Sequence, residues 1–435
     1  MAIADSRSVS GRVYPATEDS APIWQHARYP LGVRALNRVG RVLDACGVRW
    51  PRLDPERLMA AARRRAGLSD FGDDLFREGL GRLVESFEAN PAVHGFGRHF
   101  FREYCVGILV NRLKMTDEWK RHPEIDDVPV ARPLVITGLP RSGTTLLHRL
   151  MSEDPAGRMM LFWEAFEPSP APRPETYRSD PRIRRARKAI ALINRLAPRI
   201  PAAHHFAAEE PEEDNTLFAH EFRAGFIGFM FDVPDYTRWL NAQDRVPGYR
   251  SMRRQLQLLS RHIRGAYWIL KSPAHIYGLD ALLTVFPDAN VVHTHRDPAR
   301  VIPSVASLSA GFRSLVADPL DLRRLGTEFA EAMALGLSQA TQARVSADPA
   351  RFFDVRYETL VADPIGTVRE VCQHFGYDFT PSYEARTRRY LAENPQHKHG
   401  VHHYSLDDFG LDAAAVARQF GDYRDWLEEH VPQMV

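Results

Sequence analysis

Residues 134–153 read LVITGLPRSGTTLLHRLMSE. Leu134–Gly138 is a short apolar run ending on glycine, the pattern of a buried strand. Thr144–Glu153 then turns Leu146, Leu147, Leu150 and Met151 to one side, the pattern of a helix. In a strand–turn–helix of this kind, backbone N–H groups of the turn and of the first helical turn point at one spot, and that spot binds an anion. Gly138 and Gly143 allow the backbone geometry the turn needs. The spacing matches the opening of the nucleotide-triphosphate loop GxxxxGK[ST], but position 144 is Thr where that loop requires Lys. The cation stands inside the turn, as Arg141. Without the Lys that meets metal-bound phosphates, the case for Mg·ATP is weak. Glycines placed for packing alone would need neither Arg141 nor the paired threonines.

Outward from this loop, apolar runs alternate with helical patterns. Tyr267–Leu270 precedes a helix expected at about Ile276–Val285, and Asn290–Thr294 precedes another. Phe352–Val355 is followed by Asp363-Pro364, an N-cap and first-turn pair. The helix behind it carries Ile365, Val368, Val371, Cys372 and Phe375 on one face and stops at Gly376. Such alternation predicts an α/β fold, a P-loop-like parallel sheet flanked by helices. Residues 1–30 read as a loosely ordered arm and 31–130 as a helical N-terminal layer, with Leu75, Phe76, Leu80, Leu83, Val84 and Phe87 on one face. Residues 131–400 form the expected α/β core, with a helical cap insertion at about 160–265, and 401–435 hold a C-terminal helix over Asp412–His430.

A second anion site is expected in VVHTHRDPARVIPSVASL, residues 291–308. Arg296 leaves a strand at its carboxyl end, where open α/β sheets place ligands. Asp297-Pro298 opens a helix, and Ser304 follows eight residues after Arg296, with Pro303 expected to disturb the helix. Taken alone, these two side chains would also suit a surface salt bridge and an idle serine.

Pro140-Arg141-Ser142-Gly143-Thr144-Thr145 resembles the 5′-phosphosulfate loop of the sulfotransferase superfamily, which reads PKSGTT or PRSGTT; the Arg form is that of bacterial and tyrosyl-protein branches. The resemblance covers about Leu134 to Gly400. It implies the donor 3′-phosphoadenosine-5′-phosphosulfate, with Arg141 on the bridging and sulfuryl oxygens and the loop holding the 5′-phosphate. It also implies that Arg296 and Ser304 bind the 3′-phosphate, as a planar guanidinium suits a terminal phosphate. By the same resemblance Lys271, in Lys271-Ser272-Pro273, is a second stabilising cation, and Tyr357 lies against adenine. Lys398 loosely matches a basic element that closes over the 3′-phosphate. A Glu shortly after the loop helix is the expected general base, which points to Glu164; Glu167 is close enough to leave the register open. His275 is the alternative, as cytosolic relatives use a His. The implied reaction is in-line sulfuryl transfer without metal to a hydroxyl of a small-molecule, glycan or lipid acceptor. Two rivals remain: a P-loop kinase with a degenerate loop, and a nucleotide-binding module of the same fold without catalysis.

The remaining features narrow the setting. The chain has 435 residues, 44% hydrophobic and 26% charged, with a formal net charge of +2. That balance is globular and gives no general affinity for nucleic acid. Cys46, Cys105 and Cys372 are too few and too spread for a disulfide framework or a Cys-based zinc site. No secretory signal and no apolar run long enough to span a bilayer is visible, so a cytoplasmic protein is expected. The four histidines of 397–403 lack the Cys or spaced carboxylate that would complete a metal set. The acidic run 209–214 reads as the first turn of a helix, favoured by its dipole, with acceptor recognition as the minor alternative. The helix opened by Asp180-Pro181 has an apolar face for the core and an Arg-rich face that leaves room for peripheral membrane contact.

Overall fold

At Pro133 the chain passes from helices into a sheet. The computed structural model describes residues 22–25, 29–395 and 404–431. Five strands pair in parallel: β1 (Leu134–Gly138), β2 (Gly157–Met159), β3 (Tyr267–Lys271), β4 (Asn290–His295) and β5 (Phe352–Arg356). Their order is β2-β3-β1-β4-β5, with Leu134 opposite both Ile269 and Asn290. β1 and β3 are buried along their whole length, which is why they read as continuous apolar runs rather than alternating ones.

Helices cover both faces. On one side the helices Thr144–Met151 and Pro364–Phe375 pack Leu147, Leu150, Val368, Val371 and Phe375 against Ile136 and Val292. The second of these begins with the Asp363 side chain accepting from the Gly366 N–H at 2.8 Å and ends at Gly376 with φ +71°, as its sequence predicts. On the other side Leu256, Leu282, Val301, Val305 and Leu337 close over Val135 and Val291.

The N-terminal layer consists of helices Leu31–Ala45, Pro55–Ala66, Leu75–Glu88 and Gly95–Arg121. Phe76, Leu80, Leu83, Val84 and Phe87 are buried as expected, and Phe87 stacks on Phe101 at 3.8 Å between ring centroids. Between β2 and β3 lie short helices, among them Phe162–Phe166, Pro181–Leu196, Ile200–Ala203 and Val246–Leu259.

Several elements differ from the sequence reading. β2 was not anticipated, since three residues are too few to show a period. Nor was the 24-residue helix Leu322–Val345. The helix expected at Ile276–Val285 is two pieces, a 3-10 turn Pro273–Tyr277 and a helix Leu279–Val285, parted at Gly278. The C-terminal helix is likewise split into Ala413–Gln419 and Gly421–His430 at Phe420. Pro303 lies inside the helix Pro298–Arg313 without ending it. Among the described residues no helix is long and apolar enough to cross a membrane.

Candidate functional site

Because every strand is parallel, all carboxyl ends meet one edge of the sheet, and four of the five bring a loop or side chain there. β1 runs into the loop 138–143, β3 ends on Lys271, β4 leads to Arg296 and β5 to Tyr357. The loop is tight. Gly143 has φ +91°, and a Cβ there would come within 2.8 Å of the Leu360 side chain. Arg141 is a non-glycine held at φ +67°, a conformation that costs an L-residue about 1–2 kcal/mol. Pro140 is half-buried beside it. Ser142 differs from the expectation of a ligand hydroxyl: its Oγ bonds the Leu139 carbonyl at 2.5 Å and Thr294 Oγ1 at 2.6 Å. It ties the loop to β4 instead. Thr144 is buried at the helix start, and Thr145 is exposed one residue on.

The Arg296 guanidinium links the loop to β5. Its Nη1 donates to the Arg141 carbonyl at 2.8 Å, and its Cζ sits 3.8 Å from the centre of the Tyr357 ring. Its Nε is buried with no hydrogen-bond partner. Ser304, on the helix that follows, is 1% exposed, and its hydroxyl has no partner either. A desolvated polar group left unsatisfied costs about 1–3 kcal/mol. Two such donors in one stretch are what a bound anion would satisfy. Lys398 and the histidines of 397–403 lie outside the described residues.

Facing the loop is the segment 203–214. Arg141 Nη1 donates to the Ala203 carbonyl at 3.0 Å. The acidic run does precede a turn of 3-10 helix, Asp214–Glu221, but its side chains reach separate cations. Glu209 pairs with Arg187, Glu210 with Arg149 at 2.9 Å, and Glu213 with Lys271 at 2.6 Å. Asp214 Oδ1 lies 2.9 Å from His275 Nε2, off the line of a hydrogen bond. Lys271 also reaches Thr145 Oγ1 at 3.4 Å. Glu212 has no Arg or Lys against it: its Oε1 accepts the Glu213 N–H at 2.8 Å. Burial, reinforced by the Glu213 charge, pushes its carboxyl up to about 7. Burial first, then Lys271, Arg141 and Arg149, pushes the His204 imidazole down to about 3. The sequence reading took Glu212 and Glu213 only as part of the acidic run and did not name Arg149; the pairs Glu210–Arg149 and Glu213–Lys271 are set by the crossing of distant segments.

Both expected bases lie in closed surroundings. Glu164 is fully buried, and its two oxygens are engaged by Arg158, by Tyr177 OH at 3.1 Å and by the Leu161 N–H at 2.9 Å. Fully buried and paired with the Arg158 guanidinium, this carboxylate is closed to an incoming hydroxyl in this arrangement. His275 is fully buried too, between Asp214 and the Tyr249 hydroxyl at 2.9 Å. Elsewhere, His293 and His295 of β4 and Asp354 of β5 gather side by side. Arg344 holds both oxygens of Asp354, at 2.5 and 2.7 Å, so a guanidinium already supplies the positive charge there.

Comparisons with known proteins agree with this layout. A family model described as the sulfotransferase family matches residues 133–381. The omega-hydroxy-beta-dihydromenaquinone-9 sulfotransferase of Mycobacterium bovis is 27% identical over 361 residues, covering 79% of this chain and 88% of that one. The crystal structure of a sulfotransferase from Mycobacterium tuberculosis is 34% identical, superposes with a TM-score of 0.77, and covers 85% of this chain and 99% of its own. One from Mycobacterium avium is 32% identical with a TM-score of 0.80, covering 87% and 97%.

Proposed function

Since this chain belongs to the sulfotransferase family, we propose that it moves a sulfuryl group from 3′-phosphoadenosine-5′-phosphosulfate to the hydroxyl of a lipid-like acceptor. The observation that carries the donor half is the pair of unsatisfied buried donors, Ser304 Oγ and Arg296 Nε, beside the loop of Arg141. They fit a 3′-phosphate, while the backbone and Thr144–Thr145 of the loop fit the 5′ side. Tyr357, stacked on Arg296, would border the adenine. The donor supplies an activated sulfuryl group. Arg141 and Lys271 then neutralise charge that develops on the leaving phosphate oxygen as its bond to sulfur breaks.

The acceptor side rests on Glu212. With no cation in contact and a carboxyl near neutrality, it is suited to take the acceptor's proton as the new oxygen–sulfur bond forms. The acceptor class rests on a ring cluster on the neighbouring segments: Phe206 lies 4.3 Å from His204 and 5.8 Å from Phe162, and Phe166 is 40% exposed. An apolar body with a terminal hydroxyl suits such a lining, and the menaquinone sulfotransferase relative acts on an acceptor of that kind.

Thermal melting separates this reading from its rivals. The bisphosphate product should stabilise the protein, by about 2.7 kcal/mol at a hundredfold excess over Kd, and Mg·ATP should not. Stabilisation by Mg·ATP alone would favour the kinase. Stabilisation by the bisphosphate without transfer of labelled sulfate to any of a panel of apolar alcohols would favour the inactive module.

A further inference from the structure

The first described helix, Leu31–Ala45, has more than one apolar side. It docks through Val33, Asn37 and Gly40. A Cβ on Gly40 would lie 2.8 Å from Gly95 Cα, and Asn37 Oδ1 accepts the Phe96 N–H at 2.8 Å, so the helix sits hard against the start of Gly95–Arg121. The opposite side is apolar as well. Leu31, Ala35, Val39, Val42 and Cys46 recur at helical spacing and all are exposed. Leu31 is 79% exposed, Val39 51% and Val42 60%, and just beyond them Val48 is 49% and Trp50 45% exposed.

Five of the ten large apolar side chains exposed among the described residues thus fall in one twenty-residue stretch, which makes a patch rather than scatter. Beside the stripe runs a second row, Arg34, Arg38 and Arg41, all exposed and with no acidic partner among the described residues. Residues 31–50 contain four Arg (34, 38, 41 and 49) and one acid, Asp44.

We propose that this face is a docking surface for an anionic lipid bilayer, with the apolar stripe entering the headgroup region and the Arg row lying along the phosphates. An apolar stripe edged by guanidinium groups on long stems, with a Trp at its end, is suited to a layer that is apolar below and anionic above. A second copy of the chain fits less well. A two-fold interface is self-complementary, and this surface would bring three unpaired Arg on each copy against a single Asp. The docking does not depend on the chemistry of transfer, and its test reads binding rather than turnover.

Flotation of the full chain with vesicles is that test. The chain should float with vesicles of phosphatidylcholine plus phosphatidylglycerol, bind phosphatidylcholine alone far more weakly, and lose binding as salt is raised. Each basic residue near such a surface contributes about a factor of five, so Arg34→Glu with Arg38→Glu and Arg41→Glu should weaken binding by about a hundredfold or more. Val39→Asp with Val42→Asp should abolish it. Melting temperatures of both variants should match the parent, since every changed side chain is exposed. No flotation of the parent would overturn the proposal and indicate that the N-terminal arm or nothing covers the stripe. So would a parent that dimerises by size exclusion and becomes monomeric on Val39→Asp with Val42→Asp, without binding vesicles.

Discussion

Ser304→Ala tests the donor site with the fewest side effects. The Ser304 hydroxyl is buried and unsatisfied, so removing it relieves a desolvation penalty of about 1–3 kcal/mol rather than breaking a bond. Ala also has the higher helix propensity, by a few tenths of a kcal/mol. The unliganded variant should therefore melt at or above the parent temperature. The liganded protein loses a hydrogen bond to a charged phosphate, about 1.5–3 kcal/mol, which is about a ten- to hundredfold weakening of the 3′,5′-bisphosphate. Adenosine 5′-phosphosulfate, without a 3′-phosphate, should bind the variant as it binds the parent. Isothermal titration with both ligands, beside a melting curve, gives all three values. Equal weakening of both ligands would refute a 3′-phosphate at Ser304. A melting temperature well below the parent's would show that the hydroxyl is structural.

Arg141→Ala should lower kcat by about a hundredfold to a thousandfold, and by more than it raises KM for the donor, if the guanidinium acts on charge that appears only during transfer; a change confined to KM would reduce Arg141 to docking. Turnover of the parent should rise as pH passes through about 7, where Glu212 loses its proton. Glu212→Gln should flatten that limb and cost about a hundred- to ten-thousandfold; an unchanged profile would remove Glu212 from the chemistry. The same group sets a stability trend. Its folded value lies above the ordinary 4.5, so the folded chain holds more protons between 4.5 and 7, and stability should fall as pH rises through that window in the parent but not in the Gln variant. Glu164→Ala leaves Arg158 buried and unpaired and should cost about 3–5 kcal/mol of stability by denaturant titration. Full stability with lost turnover would restore Glu164 as the base.

What the sequence disclosed and what it hid follow the reach of each signal. The loop 138–145, the strand ends at Lys271 and Arg296, and the capped helix Pro364–Phe375 are all written in adjacent residues, because glycine, proline and capping rules act over a few positions. Glu164 was expected to be a base from its distance beyond the loop helix, a signal that carries nothing about its partners. The structure buries it against Arg158, six residues earlier on β2, and β2 was too short to foresee. The acids of 209–214 were read along their own backbone, as a helix start. Their neighbours Arg149, Lys271 and His275 come from three other elements, and only the fold brings them together. The helix Leu322–Val345, with several small residues on its buried side, gave no strong apolar stripe to announce it.

Lys271 has a further consequence for the order of events. In the unliganded chain its charge is already matched by Glu213, an internal counter-ion supplied by the segment that covers the loop. Under the proposed function, an anionic donor reaching Lys271 would exchange places with that carboxylate, so the lysine would not be left bare. The displaced Glu213 is next to Glu212 in the chain. Loading of the donor and release of the covering segment would then be one exchange, freeing Glu212 only when there is something to transfer. Hydrogen exchange over 208–213, faster with the bisphosphate than without it, would register that trade, and equal rates would dismiss it.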